Sequence, residues 1–269
     1  MFWKSLKATF LRNFISQIRA YPMSFFVGNL LTALYSVLSA WFLYHLLFNG
    51  KLDDSFSKLA GTGDYMSYVI IGSAVYALAV RTCLNVSRSL VTELREGTLE
   101  SLMLTPFSRY GYFTGNMFQQ TVTSLCEVLL ALLICTPFGF SPEAFQPLQF
   151  IIALGASLFA FFGMSMMLGA LMLYTRDTYI SQNTLFIFMY LVSGVLFPQG
   201  YLPDVFVKIG SLIPLGTSLE VIRASILGIT NTVFTESIVY LIAIGAVYST
   251  IGFISMRRIE EIALEKIFG

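Results

Sequence analysis

Four long stretches of the chain carry no Lys, Arg, Asp or Glu: those between Arg19 and Lys51, Glu143 and Arg176, Asp177 and Asp204, and Glu236 and Arg257. Each exceeds the roughly 18 residues that mark a membrane-crossing helix. Runs such as Ile151-Ile152-Ala153-Leu154 and Phe159-Ala160-Phe161-Phe162 are apolar on every face, which excludes a transmembrane barrel, whose strands alternate polar and apolar positions. With two further apolar stretches that hold isolated charges, the pattern predicts an all-α integral membrane protein with six transmembrane helices. These lie near Met23–Phe48, Tyr65–Leu90, Tyr112–Phe138, Phe150–Tyr174, Ile180–Phe197 and Thr232–Met256.

Ahead of the first span, Phe2, Trp3, Leu6, Phe10, Leu11, Phe14, Ile15 and Ile18 recur at helical spacing, with Lys4, Lys7, Arg12, Asn13, Gln17 and Arg19 between them. This predicts an N-terminal interfacial amphipathic helix over residues 1–21, its aromatics in lipid and its cations toward anionic head groups. The apolar run from Met23 is too long for the core of a signal peptide and lacks a small-residue cleavage site after it, so it is expected to remain as the first span.

Composition agrees with the pattern. Of 269 residues, 56% are hydrophobic and 12% charged, against roughly 25% charged in a soluble domain, and the mean hydropathy is +0.75. A soluble enzyme, a disordered chain and a disulfide-stapled secreted domain are excluded. A net charge of +1 gives no support for a nucleic-acid partner. One set of loops and ends holds Lys4, Lys7, Arg12, Arg19, Arg88, Arg95, Arg109, Arg176, Arg257, Arg258 and Lys266, whereas the opposite set holds only Lys51, Lys58, Lys208 and Arg223. The excess of cations retained inside predicts a multi-pass protein of the cell membrane with both termini cytoplasmic. Cys83, Cys126 and Cys135 all fall within spans and read as small apolar packers.

The usual catalytic signatures fail. The single Gly-Lys pair, Gly50-Lys51, precedes Leu52 and not Ser or Thr, so no ATP-binding loop is present. One histidine, His45, rules out a His-Glu-x-x-His zinc protease. Gly61-Thr62-Gly63-Asp64 spells the motif of intramembrane aspartyl proteases, but no second aspartate lies within a span to share its proton. A glycine turn with Asp64 as N-cap is the better reading. No catalytic, cofactor or metal site is expected on this chain. Two intramembrane charges remain, Arg81 in the second span and Glu127 in the third. Each costs about 2.5–3.5 kcal/mol at a helix centre, so they must face protein or water, either paired with each other or lining a substrate path.

The loop between the second and third spans, residues 93–110, is more specific. In Glu93-Leu94-Arg95-Glu96-Gly97-Thr98-Leu99-Glu100-Ser101-Leu102-Met103-Leu104-Thr105-Pro106, Gly97 allows a sharp break, Thr98 suits an N-cap, Glu100 favours the positive helix start and Pro106 opposes continuation. Leu99, Leu102 and Met103 share one face of the short helix, which must dock on something to be stable. With this segment the sequence resembles the permease subunits of type-2 ATP-binding-cassette exporters, in which an acidic Glu-x-Gly-Thr-Leu-Glu stretch followed by Leu and Thr-Pro recurs in the first cytoplasmic loop. The resemblance implies that Thr98 to Leu104 form a cytoplasmic coupling helix seated in a separate ATPase. Glu93, Glu96 and Glu100 would then meet basic residues of that partner, with Ser101 at the contact.

The resemblance spreads over most of the chain. The amino-terminal helix is similar to the family's connecting helix. Pro198, Pro203 and Pro214 break the outer segment 198–231, where Leu215 to Leu227 suit a short helix ending at Gly228. This is similar to the family's re-entrant outer helical hairpin before the last span. The family architecture implies two copies of this chain with two ATP-binding-cassette ATPase subunits, ATP and Mg bound by those partners, membrane lipid around them, and the first and fifth spans at the seam. Gly111, Gly115, Gly163 and Gly169 are helix-packing positions, between copies or within one. Outward movement of amphipathic, drug-like or lipid-like molecules is expected. An ion-coupled carrier or channel is the rival activity, and polysaccharide or glycolipid the rival cargo.

Overall fold

The computed structural model describes residues 1–20, 27, 31, 35, 38, 41–47, 50, 54–98, 101, 108–136, 144–175, 184–228 and 233–268. Among them every regular element is helical and none is a strand. The principal helices are α1 (Phe2–Ala20), α2 (Asp54–Ala60), α3 (Tyr65–Arg95), α4 (Arg109–Cys135), α5 (Pro147–Thr175), α6 (Phe186–Val192), α7 (Asp204–Ser211), α8 (Pro214–Leu227) and α9 (Phe234–Phe268).

Among the described residues three helical segments are by themselves long and apolar enough to cross a membrane, Tyr65–Ser89, Pro147–Thr175 and Phe234–Arg258. A fourth is reached if α7 and α8, bent by 86° at their junction, make one broken crossing. The segment expected as the third span forms the 27-residue helix α4, which is long enough but is not among the helices apolar enough to cross a membrane by composition. The first and fifth expected spans lie partly outside the described residues.

Helix α5 is the centre of the bundle, contacted by α9, α3 and α8. Its most apolar window is 61% buried, whereas that of α9 is 17% buried, so α9 lies on the periphery. Because lipid is as apolar as leucine, burying leucine alone does not hold such helices together; close backbone approach does. The α5–α9 seam is built that way. A side chain on Gly163 would collide with the carbonyl oxygen of Gly245, and a Cβ on Gly252 would lie 2.6 Å from the backbone nitrogen of Met167. Gly163 and Gly169 therefore pack within one copy of the chain, Gly169 against Ser87 of α3 and Met256 of α9. Phe161, Ile71, Leu78, Met189, Leu215 and Ile222 fill the centre.

The broken segment after α6 follows its prolines. Pro203 precedes α7, and Pro214 occupies the first turn of α8, where its missing N–H is harmless. Gly228 ends α8 in the left-handed conformation, φ +64°, as glycine after a last turn predicts. The sharp α7–α8 bend leaves carbonyls open, and α9 supplies donors. Tyr240 donates to the carbonyl of Ser211, and Tyr248 to that of Leu212 at 2.7 Å. Carbonyls satisfied in this way meet the condition that irregular backbone must meet inside a membrane.

Gly163→Val should destabilise the bundle by about 1–3 kcal/mol through overpacking of the α5–α9 seam. The check is a thermal unfolding midpoint in detergent, expected to fall, with Gly155→Ala, which meets nothing within 4 Å, as the neutral comparison.

Candidate functional site

The α3 helix ends where its sequence says it should. Gly97 adopts φ +72°, and the Thr98 amide turns back to the Glu93 carbonyl at 2.9 Å, the six-to-one bond of a glycine-terminated helix. Glu96, Gly97, Thr98 and Ser101 are exposed, and Ser101 is helical. Leu99, Glu100, Leu102 and Met103 lie outside the described residues. The Thr98 hydroxyl is committed backward, donating to Glu93 Oε2 at 2.5 Å.

Glu93 faces inward. It is 5% exposed, and its carboxylate gathers donors from three segments. Arg12 Nη2 of α1 reaches Oε1 at 2.5 Å, the Tyr112 hydroxyl of α4 reaches the same oxygen at 3.2 Å, and Thr98 holds the other. The Arg12 guanidinium also lies 5.9 Å from the Tyr112 ring centre. Burial would push the Glu93 carboxyl upward, but the hydrogen bonds from Thr98 and Arg12 and the Arg12 charge outweigh it and hold the group below its ordinary value. This carboxylate, expected to meet a partner's cations, is directed to α1 of its own chain, whereas Glu96 of the turn is exposed.

Helix α1 is docked along α4, and the pairing follows a rule. Ser5 accepts from the Ser108 amide at 3.0 Å, Asn13 donates to Asn116, and the Gln119 amide donates to Gln17. The partners are separated by 103, 103 and 102 residues, a constant offset that makes α1 and α4 run in the same direction. Ser5, Thr9, Asn13 and Gln17 recur every four residues and so form one face of α1. Between the pairs, the glycines of α4 let the backbones touch: Cβ atoms on Gly111 and Gly115 would lie 2.7 Å from the carbonyl oxygens of Phe2 and Leu6. Phe2, Trp3, Leu11 and Ile15 remain exposed, as on an amphipathic helix at a lipid surface. Its uncharged polar stripe, however, is turned to protein and not to water. The four-residue repeat of small and amide side chains was the available signal for this.

Within the bundle, Asn85 of α3 donates to Gln120 of α4 at 2.6 Å, and Gln120 donates to Ser124 at 2.7 Å. This polar seam joins the two helices that also carry Arg81 and Glu127. Arg81 is half-buried on α3, and Glu127 is on α4 with its side chain outside the described residues.

A second cluster lies at the other end of α3, about 38 Å away at 1.5 Å per residue. Arg223 of α8 is 5% exposed. It donates to the carbonyls of Tyr68 at 3.2 and 3.1 Å, Gly194 at 2.9 Å and Val195 at 2.9 Å, and stacks 3.5 Å from the Tyr68 ring centre. Any side chain on Gly72 would strike Arg223 and the Val195 carbonyl. Sequence reasoning placed Arg223 in an outer loop; an arginine inside a proline-broken apolar segment was the signal for an internal ligand of backbone carbonyls. Nearby, Asp64 caps α3 by accepting from the Ser67 amide at 3.1 Å, so the Gly61–Asp64 turn is structural.

Comparison with known proteins gives two findings. The family model described as ABC-2 type transporter matches residues 4–227. Nodulation protein J of Sinorhizobium fredii (strain NBRC 101917 / NGR234) is 32% identical over 133 residues, which is 48% of this chain and 49% of that protein. The alignment thus spans about half the length of that curated relative.

Arg12→Ala leaves a buried carboxylate with one donor fewer and should cost roughly 1–3 kcal/mol, read as a lower unfolding midpoint and as slower disulfide formation between cysteines placed at Ser5 and Ser108. The pH sign follows from the lowered Glu93 value. Its contribution is fully present above the ordinary carboxyl value of 4.5 and is lost as pH falls through the lower folded-state value. Glu93→Gln should flatten that acid limb; an unchanged pH profile would show that the carboxylate does not hold α1.

Proposed function

Because the chain belongs to the ABC-2 type transporter family, a family of membrane permeases whose ATPase activity resides on a separate subunit, we propose that it is the permease of an ATP-driven exporter. In this reading two copies of the chain join two ATPase subunits, which bind ATP and Mg, in the cell membrane with both termini cytoplasmic. The cargo is an amphipathic, drug-like or lipid-like molecule moved outward. The observation that carries the reading is the continuity between the exposed turn Glu96-Gly97-Thr98 and the Glu93 cluster. A partner seated on that turn and on Ser101 pulls on Thr98, whose hydroxyl is bonded to Glu93. Glu93 in turn holds Arg12 and Tyr112, so displacement of one exposed loop is delivered to α1, α3 and α4 together.

The mechanism needs no chemistry on this chain. ATP closure on the partners moves the coupling segments, and the bundles rock or separate. A shift between conformations follows only if substrate or partner binds them with different affinity. The polar seam Asn85–Gln120–Ser124 favours a second reading, an ion-coupled carrier with a hydrophilic path between α3 and α4. Vesicles separate the two: the exporter requires ATP inside the ATPase-containing complex, the carrier an ion gradient.

Gly97→Pro cannot adopt φ +72° and should break the link while leaving the chain inserted. Export should fall by about tenfold or more with ATP hydrolysis persisting, and Glu100→Lys should act in the same direction. Normal export by both variants would sink the coupling role of this loop.

A further inference from the structure

A cavity of about 310 Å³ lies beside Arg223, between α2, the start of α3, the chain break after α6 and α8. Lys58, Tyr68, Ser193, Gln199, Glu220 and Arg223 supply its polar wall. Arg223 and Tyr68 are fixed by the stack and carbonyl bonds described above, and Gln199 holds its place by donating to the Val192 carbonyl at 3.0 Å. Three polar groups on the wall are uncommitted. Ser193 is 2% exposed, and its hydroxyl has no hydrogen-bond partner among the described residues. Lys58 and Glu220 are exposed, and neither forms an ion pair within 4 Å among the described residues, although Glu220 feels the charge of Arg223 one turn away.

These groups select among ligands. A simple anion would meet Lys58 and Arg223 but also the Glu220 carboxylate. A simple cation would meet Glu220 but be repelled by the other two. An apolar ligand would leave the buried Ser193 hydroxyl unsatisfied, a loss comparable to a stranded hydrogen bond, and would make no use of either charge. A molecule bearing an anionic and a cationic group satisfies all three. The volume lies at the small end of ligand pockets, roughly 300–1,000 Å³, which suits a headgroup with its chains left outside.

We propose that this cavity binds a zwitterionic headgroup carrying a phosphate and a primary ammonium, with the phosphate toward Lys58 and Ser193 and the ammonium toward Glu220. The inference deepens the exporter reading by naming the chemistry of one end of a lipid-like molecule, and rests on it only for the direction of movement. Binding itself requires no ATPase, so it is measured on the full chain alone, in nanodiscs of phosphatidylglycerol, which lacks the ammonium.

Glycerophosphoethanolamine titrated into these discs should bind saturably. Lys58→Gln and Glu220→Gln should each weaken it about tenfold, the scale of one lost charged hydrogen bond. Both side chains are exposed, so the variants are expected to fold, and an unchanged unfolding midpoint verifies it. Glycerophosphoglycerol, without the ammonium, and ethanolamine, without the phosphate, should each bind about tenfold more weakly than the zwitterion. Equal binding of glycerophosphoglycerol, indifference to both substitutions, or no binding to the wild type would each overturn the site. The source of the headgroup is read by native mass spectrometry after reconstitution in mixed phosphatidylethanolamine and phosphatidylglycerol. Phosphatidylethanolamine retained by the wild type and lost from Glu220→Gln identifies a bilayer lipid; binding of the soluble headgroup without lipid retention identifies a transient cargo. Intact headgroup binding with absent ATP-driven export would overturn the exporter reading and leave the site standing.

Discussion

A buried carboxylate stays charged only when donors are brought to it, and the Glu93 end of this bundle is organised around that requirement. Its two oxygens draw a guanidinium from α1, a phenol from α4 and a hydroxyl from the turn beyond Gly97. Apolar packing of Val86, Val91, Tyr112 and Phe113 joins α3 to α4 near this end. The carboxylate adds directional bonds that reach α1 and the turn, and the glycines of α4 let α1 come close enough to complete them. The first side chain beyond Gly97 shares this carboxylate, which links the exposed turn to the same cluster.

The opposite end solves the complementary problem. Where α6 stops, backbone carbonyls lose their helical donors and need others. Arg223 delivers a rigid fork of N–H groups to two of these, Gly194 and Val195, and to the Tyr68 carbonyl at the start of α3, while the Tyr68 ring covers its face. A cation gathers acceptors at one end and an anion gathers donors at the other. Between them, Asn85 bonds Gln120 and joins α3 to α4 by one directional contact.

What the sequence made legible is what depends on neighbours in the chain. The turn at Gly97, the end of α8 at Gly228, the cap at Asp64 and the break at Pro214 all rest on residues within one or two helical turns, and each is found at the expected residue. The helical class and the family follow from apolar run lengths and from the loop containing Gly97. The pairing of Glu93 with Arg12 and of Arg223 with Tyr68 was not legible, because these partners lie 81 and 155 residues away in the chain. Residue type told that Glu93 was acidic and Arg223 basic; only the packing tells which way each points. The glycine pair of α4 was readable as a contact surface, but its occupant, α1, was not.

The constant offset between α1 and α4 also orders events in time. Residues 5–17 find their partners only after residue 119 has been made. At a synthesis rate of about 5–20 residues per second, that is a wait of roughly 5–20 s. Throughout it, Ser5, Thr9, Asn13 and Gln17 must be satisfied by water or head groups while Phe2, Trp3, Leu11 and Ile15 engage lipid. An amphipathic helix is suited to such a wait, since it can rest at the bilayer surface until its partner emerges. The exposed aromatic face of α1 thus serves the nascent chain, as a temporary mooring, before it serves the finished bundle.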